Sequence, residues 1–259
     1  MRMKTKTYNE FLKRIQYLET RLNGGKGSGN FGHSGRPGKV GGSGLGAQGI
    51  LDKTGHGVNI GNEELDKIWN SFDDDVLISD NDAKILKDNY FGTQLFSKVQ
   101  KVARQEGLDT LDEDEKDKAE KTKEILDDYI DSSSLSQDIT LYRGITLTDE
   151  NAALFKKGRE ISDAGFASTS LNPSETTRMR GDGTFGGKRN IVVLKISAKK
   201  GSKGLKSPVR GDDKEYEVVL PRNANFKIKS VGKWQRFYES DDDLKYDNKR
   251  VKIIEVDYE

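Results

Sequence analysis

The stretch KEYEVVLP, residues 214–221, sets Glu215 and Glu217 on either side of a tyrosine and runs straight into Val-Val-Leu before a proline stops it. A short β-branched and apolar run with a charged entry and a Pro exit reads as a strand. Side chains at i and i+2 of a strand share a face, so Glu215 and Glu217 are expected to project into one space. The same character recurs on both sides of this stretch. Upstream lie ITLYRG (139–144), GFAST (165–169) and NIVVLKISA (190–198); downstream lie NFKIKSVG (225–232), WQRFYE (234–239) and VKIIEVDY (251–258), each bounded by Gly, Asn, Asp or Pro. Helical interruptions are expected at about 148–157 and 174–180.

Before residue 136 the pattern is helical. Asn62 is placed to cap a helix through Trp69, with Glu63 and Glu64 in its first turn, where acid is favoured. Ser79 or Asp80 starts a second helix running towards Gln105, with Gly107 as its stop, and residues 112–130 read as a third. Helices followed by a mainly antiparallel β-region predict an α+β domain rather than a doubly wound one. Its span is 61–259, with a helical part over 61–135 and a β-rich part over 136–259.

Residues 1–60 read differently. Tyr8, Phe11, Leu12, Ile15, Leu18 and Leu22 follow helical spacing, and 12 of the 28 glycines then fall between residues 24 and 49. Glycine in that density opposes a fixed fold, so an amphipathic helix followed by a flexible basic tether is expected. The net charge of +1 conceals an uneven distribution. By direct count the segments 1–60, 61–135 and 136–259 carry about +7, −11 and +5, and the basic C-terminal part suits an anionic ligand.

With no cysteine in the chain, disulfides, thiolate catalysis and zinc–thiolate sites are excluded. The histidines, His33 and His56, sit in glycine-rich surroundings, which leaves the folded part without a catalytic triad or a histidine metal site. No metal is expected. The N-terminus lacks the apolar core of a signal peptide and no stretch approaches a membrane span, so the chain reads as soluble and made in a cytoplasm. GSGNFG (27–32) and GDGTFG (181–186) match the dinucleotide fingerprint G-x-G-x-x-G, but neither opens a helix after a predicted strand. Two RGD triplets (180–182 and 210–212) are attributed to chance, and the acidic runs lack the glycine and terminal glutamate of a calcium loop.

Three strings carry the functional reading: LYRG with Arg143, GFASTS with Ser168, Thr169 and Ser170, and KEYEVVLP with Glu215 and Glu217. Taken singly, each has an ordinary explanation as a salt-bridge partner, a strand end or a solvated strand face. Their order and their shared position at strand ends resemble the arginine/serine/glutamate class of ADP-ribosyltransferases, which includes clostridial binary toxins, related exoenzymes and animal ectoenzymes. The resemblance covers residues 138–232, and the helices from 61 fit those preceding the sheets in that class. It implies an ADP-ribosyltransferase fold, with N-terminal helices packed on two mainly antiparallel β-sheets flanking an NAD cleft.

The resemblance also implies roles. Glu217 would bind the ribose 2′-OH and stabilise the oxocarbenium-like ribosyl cation formed as nicotinamide leaves NAD⁺. Arg143 would hold the phosphates of NAD⁺ with its fork of donors, and Gly144 would offer backbone to the nicotinamide amide. Ser168 would orient Glu217, with Thr169 and Ser170 supporting the strand. Glu215 would face the acceptor; in this class a Glu there accompanies arginine acceptors, so a protein arginine is the expected acceptor. Residues 174–189 take the place of the class's phosphate and nicotinamide loop, where Arg178 or Arg180 would add a phosphate contact and Phe185 would stack on nicotinamide. Residues 203–215 take the place of the acceptor-presenting loop.

GKGSGNFGHSGRPGKVGGSG, within the tether, looks like a glycine-rich segment of phage head and portal-associated proteins. It implies a phage-encoded protein attached to a virion through residues 1–60 and then acting in a host cytoplasm on host proteins. Two alternatives stay open at this point: an inactive morphogenesis protein with the same fold, and a transferase that modifies nucleic acid. The intact Arg, Ser and Glu residues speak against the first. The absence of an aromatic and basic stacking platform speaks against the second.

Overall fold

The structure is a computed structural model and describes residues 62–71, 76–91, 95–146, 149–173, 190–208, 216–236 and 250–258. Among the described residues, four helices precede the β-region: α1 (Asn62–Asn70), α2 (Asp80–Asn89), α3 (Phe96–Arg104) and α4 (Glu113–Ser132). A short 3₁₀ turn, Leu108–Thr110, links the last two. Ser79 caps α2 by accepting from Asp82 N, and Asp112 caps α4 in a capping box with Glu115. Both starts follow from side-chain acceptors meeting orphan N–H groups.

One expectation fails here. The single helix read from 79 towards 105 is two helices, because the chain leaves helical geometry at Tyr90, where φ is −123°. Tyr90 and Phe91 instead turn inward and are buried among Leu86, Val99, Val102, Ala119, Leu126 and Ile130. Burial of two aromatic rings, worth about 1.5–3 kcal/mol for each large apolar side chain, outweighs the helical hydrogen bonds given up. Nor is Gly107 the stop of α3: Gln105 takes the left-handed cap at φ 55°, and Gly107, at φ 61°, caps the 3₁₀ turn.

Beyond the helices come β1 (Ile139–Thr146), α5 (Asp149–Ala152), β2 (Glu160–Ser162), β3 (Ala167–Ser170), β4 (Asn190–Ala198), β5 (Leu205–Lys206), β6 (Glu217–Leu220), β7 (Asn225–Val231), β8 (Gln235–Arg236) and β9 (Arg250–Tyr258). The strands run in the order β2-β7-β9-β4-β1-β3-β6-β5, with β8 on β9. Only the β4–β9 pairing is parallel; the other pairings among the described strands are antiparallel. Two halves, β2-β7-β9-β4-β1 and β3-β6-β5, meet where Tyr142 of β1 stands opposite Ser170 of β3. The expected pair of sheets is thus one hydrogen-bonded path joined at β1 and β3. The helix expected at 148–157 is the single turn of α5, and the one at 174–180 lies outside the described residues.

The main core lies between the strands and α1, holding Leu65, Trp69, Leu141, Leu194, Val218 and Leu220. A second core joins α2, α3 and α4 to Phe166, Leu205 and Val219. Alternation along β6 therefore sends Val218 and Leu220 to one side and Val219 to the helices. Glu217, two residues before Val219, begins on that helical side. Among the described residues no helix is long and apolar enough to cross a membrane.

Candidate active site at the junction of the two sheet halves

Strand register brings the Ser-Thr-Ser string to the glutamate. Ser170 stands opposite Glu217, Thr169 opposite Val218 and Ser168 opposite Val219. Directly opposed side chains share a face, so Ser168, Ser170 and Glu217 lie on the helical side while Thr169 points away. The three hydroxyls have different partners. Thr169 is buried and donates to the Val218 carbonyl at 2.6 Å. Ser170 Oγ accepts from the Asn172 amide at 2.9 Å. Ser168 Oγ lies 3.1 Å from the hydroxyl of Tyr90, at the end of α2.

Arg143, on β1, is held on one edge. Its Nη2 donates to Asp163 Oδ2 at 2.6 Å and its Nη1 to the Phe166 carbonyl at 3.3 Å. Asp163 also accepts from Arg104 of α3, at 3.1 Å from both Nε and Nη2, and from the Gly165 amide at 2.9 Å. Burial pushes the pKa of this carboxyl up, but the guanidiniums of Arg143 and Arg104 outweigh it and hold the group below the ordinary carboxylate value. A guanidinium has five donors, so two of Arg143's are engaged by these described partners and the fork keeps capacity for an anion.

Tyr90 connects these groups. Burial, and after it the negative charge of Glu217, push its phenol well above the ordinary value, while the hydrogen bond with Ser168 and then Arg143 and Arg104 pull the other way. Both Glu217 and Arg143 are therefore within electrostatic reach of one buried hydroxyl. Gln100 of α3 completes the group, donating through Nε2 to Tyr90 Oη at 3.2 Å and to the Phe166 carbonyl at 3.0 Å.

At the Glu-x-Glu string, β6 begins at Glu217, and Tyr216 just before it sits at φ 48°, in the left-handed region. For an aromatic residue that conformation costs of order 1–3 kcal/mol and needs anchoring. Tyr216 has it: its ring packs edge-on against Trp69 of α1 at 5.7 Å and its hydroxyl donates to Asp66 Oδ1 at 2.9 Å.

Arg143, Gly144, Ser168, Thr169, Ser170 and Glu217 are brought to this junction, Gly144 by its place beside Arg143 on β1, opposite Val193. Arg178, Arg180, Phe185 and Glu215 lie outside the described residues, as do residues 1–60. Four contributors were missed: Tyr90, Gln100, Arg104 and Asp163. Gln100 left a trace, being a polar residue on the apolar stripe with Phe96, Val99 and Ala103. Asp163, two residues before Gly165, has the spacing of an Asx turn. Among the described residues no group of three or more His, Cys, Asp or Glu is placed to hold a metal.

Gly165 is fixed by this packing. An added Cβ would collide with Gln100 Oε1 and stand 2.8 Å from Arg104 Nε. Gly165→Ala is accordingly expected to destabilise the fold by about 1–3 kcal/mol through overpacking, readable in a urea titration; a variant as stable as the parent would show that α3 can shift freely.

With this geometry in place, relatives can be compared. The sequence profile described as "ADP-ribosyltransferase exoenzyme" matches residues 61–258. Comparison with curated protein sequences finds no significant match. Among solved structures, the ADP-ribosyltransferase Vis in complex with agmatine is 17% identical, over 78% of this chain and 87% of that one, with a TM-score of 0.56. Vis toxin from Vibrio splendidus is 16% identical over 78% and 88%, with a TM-score of 0.52. The ADP-ribosylating toxin BECa of a C. perfringens binary enterotoxin, solved with NADH, is 20% identical over 77% of this chain and 46% of that one, at 0.50. At these identities the likeness is one of fold. The profile match spans the whole helical and β-rich region, and by it this chain belongs to the ADP-ribosyltransferase exoenzyme family.

Proposed function

We propose that this enzyme transfers ADP-ribose from NAD⁺ to the side chain of a protein arginine. The observation that supports the reading is the strand register: β3 lies between Arg143's strand β1 and Glu217's strand β6, with Tyr142 opposite Ser170, Ser170 opposite Glu217, and the Arg143 guanidinium on the Phe166 carbonyl just before β3. In this reading Arg143 grips the phosphates, assisted by Arg178 or Arg180. Gly144 and Phe185 receive the nicotinamide. Glu217 stands beside the ribose, oriented by Ser168, while Thr169 and Ser170 brace β3. The bond from ribose C1′ to the nicotinamide nitrogen breaks, nicotinamide leaves with the electron pair, and a guanidinium nitrogen of the acceptor bonds to C1′. Its proton passes to the Glu215 carboxylate.

Arginine as acceptor is favoured by Glu215, and by the solved Vis complex with agmatine, a molecule ending in a guanidinium. Residues 1–60 are assigned, from their composition and motif, as the attachment of a phage-encoded enzyme to its particle, with host proteins as targets. The acceptor is tested with labelled NAD⁺, agmatine as a soluble guanidine, and mapping of modified residues in a lysate. Glu215→Gln is expected to lower transfer to guanidines by about 10²–10⁴-fold, the range of a general base, while sparing NAD⁺ hydrolysis. Label found on nucleic acid, or on residues other than arginine, would overturn the acceptor assignment.

A further inference from the structure

Among the described residues, Gln100 Oε1 is a buried side-chain oxygen that has no hydrogen-bond partner. Such an atom costs stability, so the orientation of that amide must be held by something worth more. The Phe166 carbonyl holds it. At 3.0 Å from the amide it can only accept, so the Gln100 end facing it is Nε2; the flipped amide would set two acceptors against each other. The second N–H of the same nitrogen points to Tyr90 Oη at 3.2 Å. Tyr90 therefore accepts from Gln100, and its single proton is directed to the hydroxyl on its other side, Ser168 Oγ at 3.1 Å. Ser168 accepts that proton, which leaves its own hydrogen to be donated onwards.

On the strand face that Ser168 occupies, Glu217 is the diagonal neighbour, since Ser168 opposes Val219 and Glu217 lies two residues from it. Diagonal positions on paired strands are about 7–8 Å apart, a span that a serine and a glutamate side chain close together. We propose that Gln100 and Tyr90 are positioning residues that fix the direction of a hydrogen-bond relay, Gln100 to Tyr90 to Ser168 to Glu217, so that the serine always donates to the catalytic carboxylate. The phenol is suited to it: burial and the nearby Glu217 charge keep it protonated across the working pH range. Its ring is locked edge-on against Phe91 at 5.1 Å and Phe166 at 6.1 Å. The inference rests on the reading of Glu217 given above.

Tyr90→Phe keeps the ring and removes the hydroxyl. In the full chain with saturating acceptor, it is expected to lower kcat between about 10- and 100-fold, the scale of a small misplacement of a reacting group, with KM for NAD⁺ unchanged. Because a donated hydrogen bond favours the ionised carboxylate, the acid limb of kcat should move to higher pH. The decisive comparison is with Ser168→Ala. If Tyr90 acts through Ser168, the double variant loses no more than Ser168→Ala alone; multiplied losses, or a Tyr90→Phe enzyme with parental kcat and pH profile, overturn the relay. Should Tyr90→Phe lose stability, the kcat of its folded fraction and the position of the acid limb still separate the two outcomes. Full NAD⁺ cleavage by Glu217→Gln would remove the functional reading and the relay together, whereas an inactive Glu217→Gln beside a parental Tyr90→Phe removes the relay alone.

Discussion

Glu217→Gln is expected to cut the rate of nicotinamide release by about 10²–10³-fold, the loss seen when one preorganised electrostatic contact to a transition state is withdrawn. The substitution keeps the shape and one acceptor oxygen but discards the negative charge. As the glycosidic bond breaks, positive charge grows on the ribose, and a carboxylate beside it gains attraction that an amide cannot supply. Because this gain exists only in the transition state, kcat should fall while KM for NAD⁺ holds. The fold should hold too: Glu217 is half-buried at the first position of β6, and its backbone carbonyl, which accepts from the Ser207 amide at 2.9 Å, is untouched. Single-turnover nicotinamide release, set beside the unfolding midpoint, measures both. A variant with the parental rate would place the charge elsewhere and sink the assignment.

The residues of this site divide by how far apart in the chain their partners lie. Arg143, Ser168 and Glu217 were legible because each sits in a short string whose local pattern marks a strand end. The α+β class was legible for a similar reason, since β-branched runs after residue 138 and capped helices before it are local signals. Tyr90, Gln100 and Asp163 act through long-range contacts, 78 residues from Tyr90 to Ser168, 66 from Gln100 to Phe166 and 59 from Arg104 to Asp163. No local periodicity reports those pairings. The break between α2 and α3 was missed because inward burial of Tyr90 and Phe91 is a tertiary preference that overrides helical pattern. The reading of Glu215 and Glu217 as one strand face assumed regular alternation, and Glu215 lies outside the described residues. Tyr216, between them, holds a left-handed conformation that Trp69 and Asp66, some 150 residues away, anchor, and no local pattern announces it.

Asp163→Asn tests the other half of the site and is expected to be the more destabilising change. The Asp163 carboxylate serves two guanidiniums at once, Arg143 and Arg104, whose side chains are 13% and 9% exposed. Neutralising it leaves two poorly solvated cations facing each other, a loss of about 3–5 kcal/mol by analogy with buried pairs stripped of one partner. The pH dependence has a definite sign. The folded-state pKa is lowered, so the contribution is fully present above the unfolded value, about 3.9, and drains away as pH falls through the lower folded value. The parent should therefore lose stability in acid below about pH 4 by a component that Asp163→Asn lacks, which urea titrations at stepped pH would resolve. Catalysis should respond in the opposite way to Glu217→Gln. Asp163 fixes the fork of Arg143, so without it KM for NAD⁺ should rise while kcat changes less, since phosphate contacts are made in the ground state and transition state alike. If kcat collapsed with KM unmoved, Arg143 would be acting on the developing charge and not on the phosphates, and the division of labour between the guanidinium and the carboxylate would have to be redrawn.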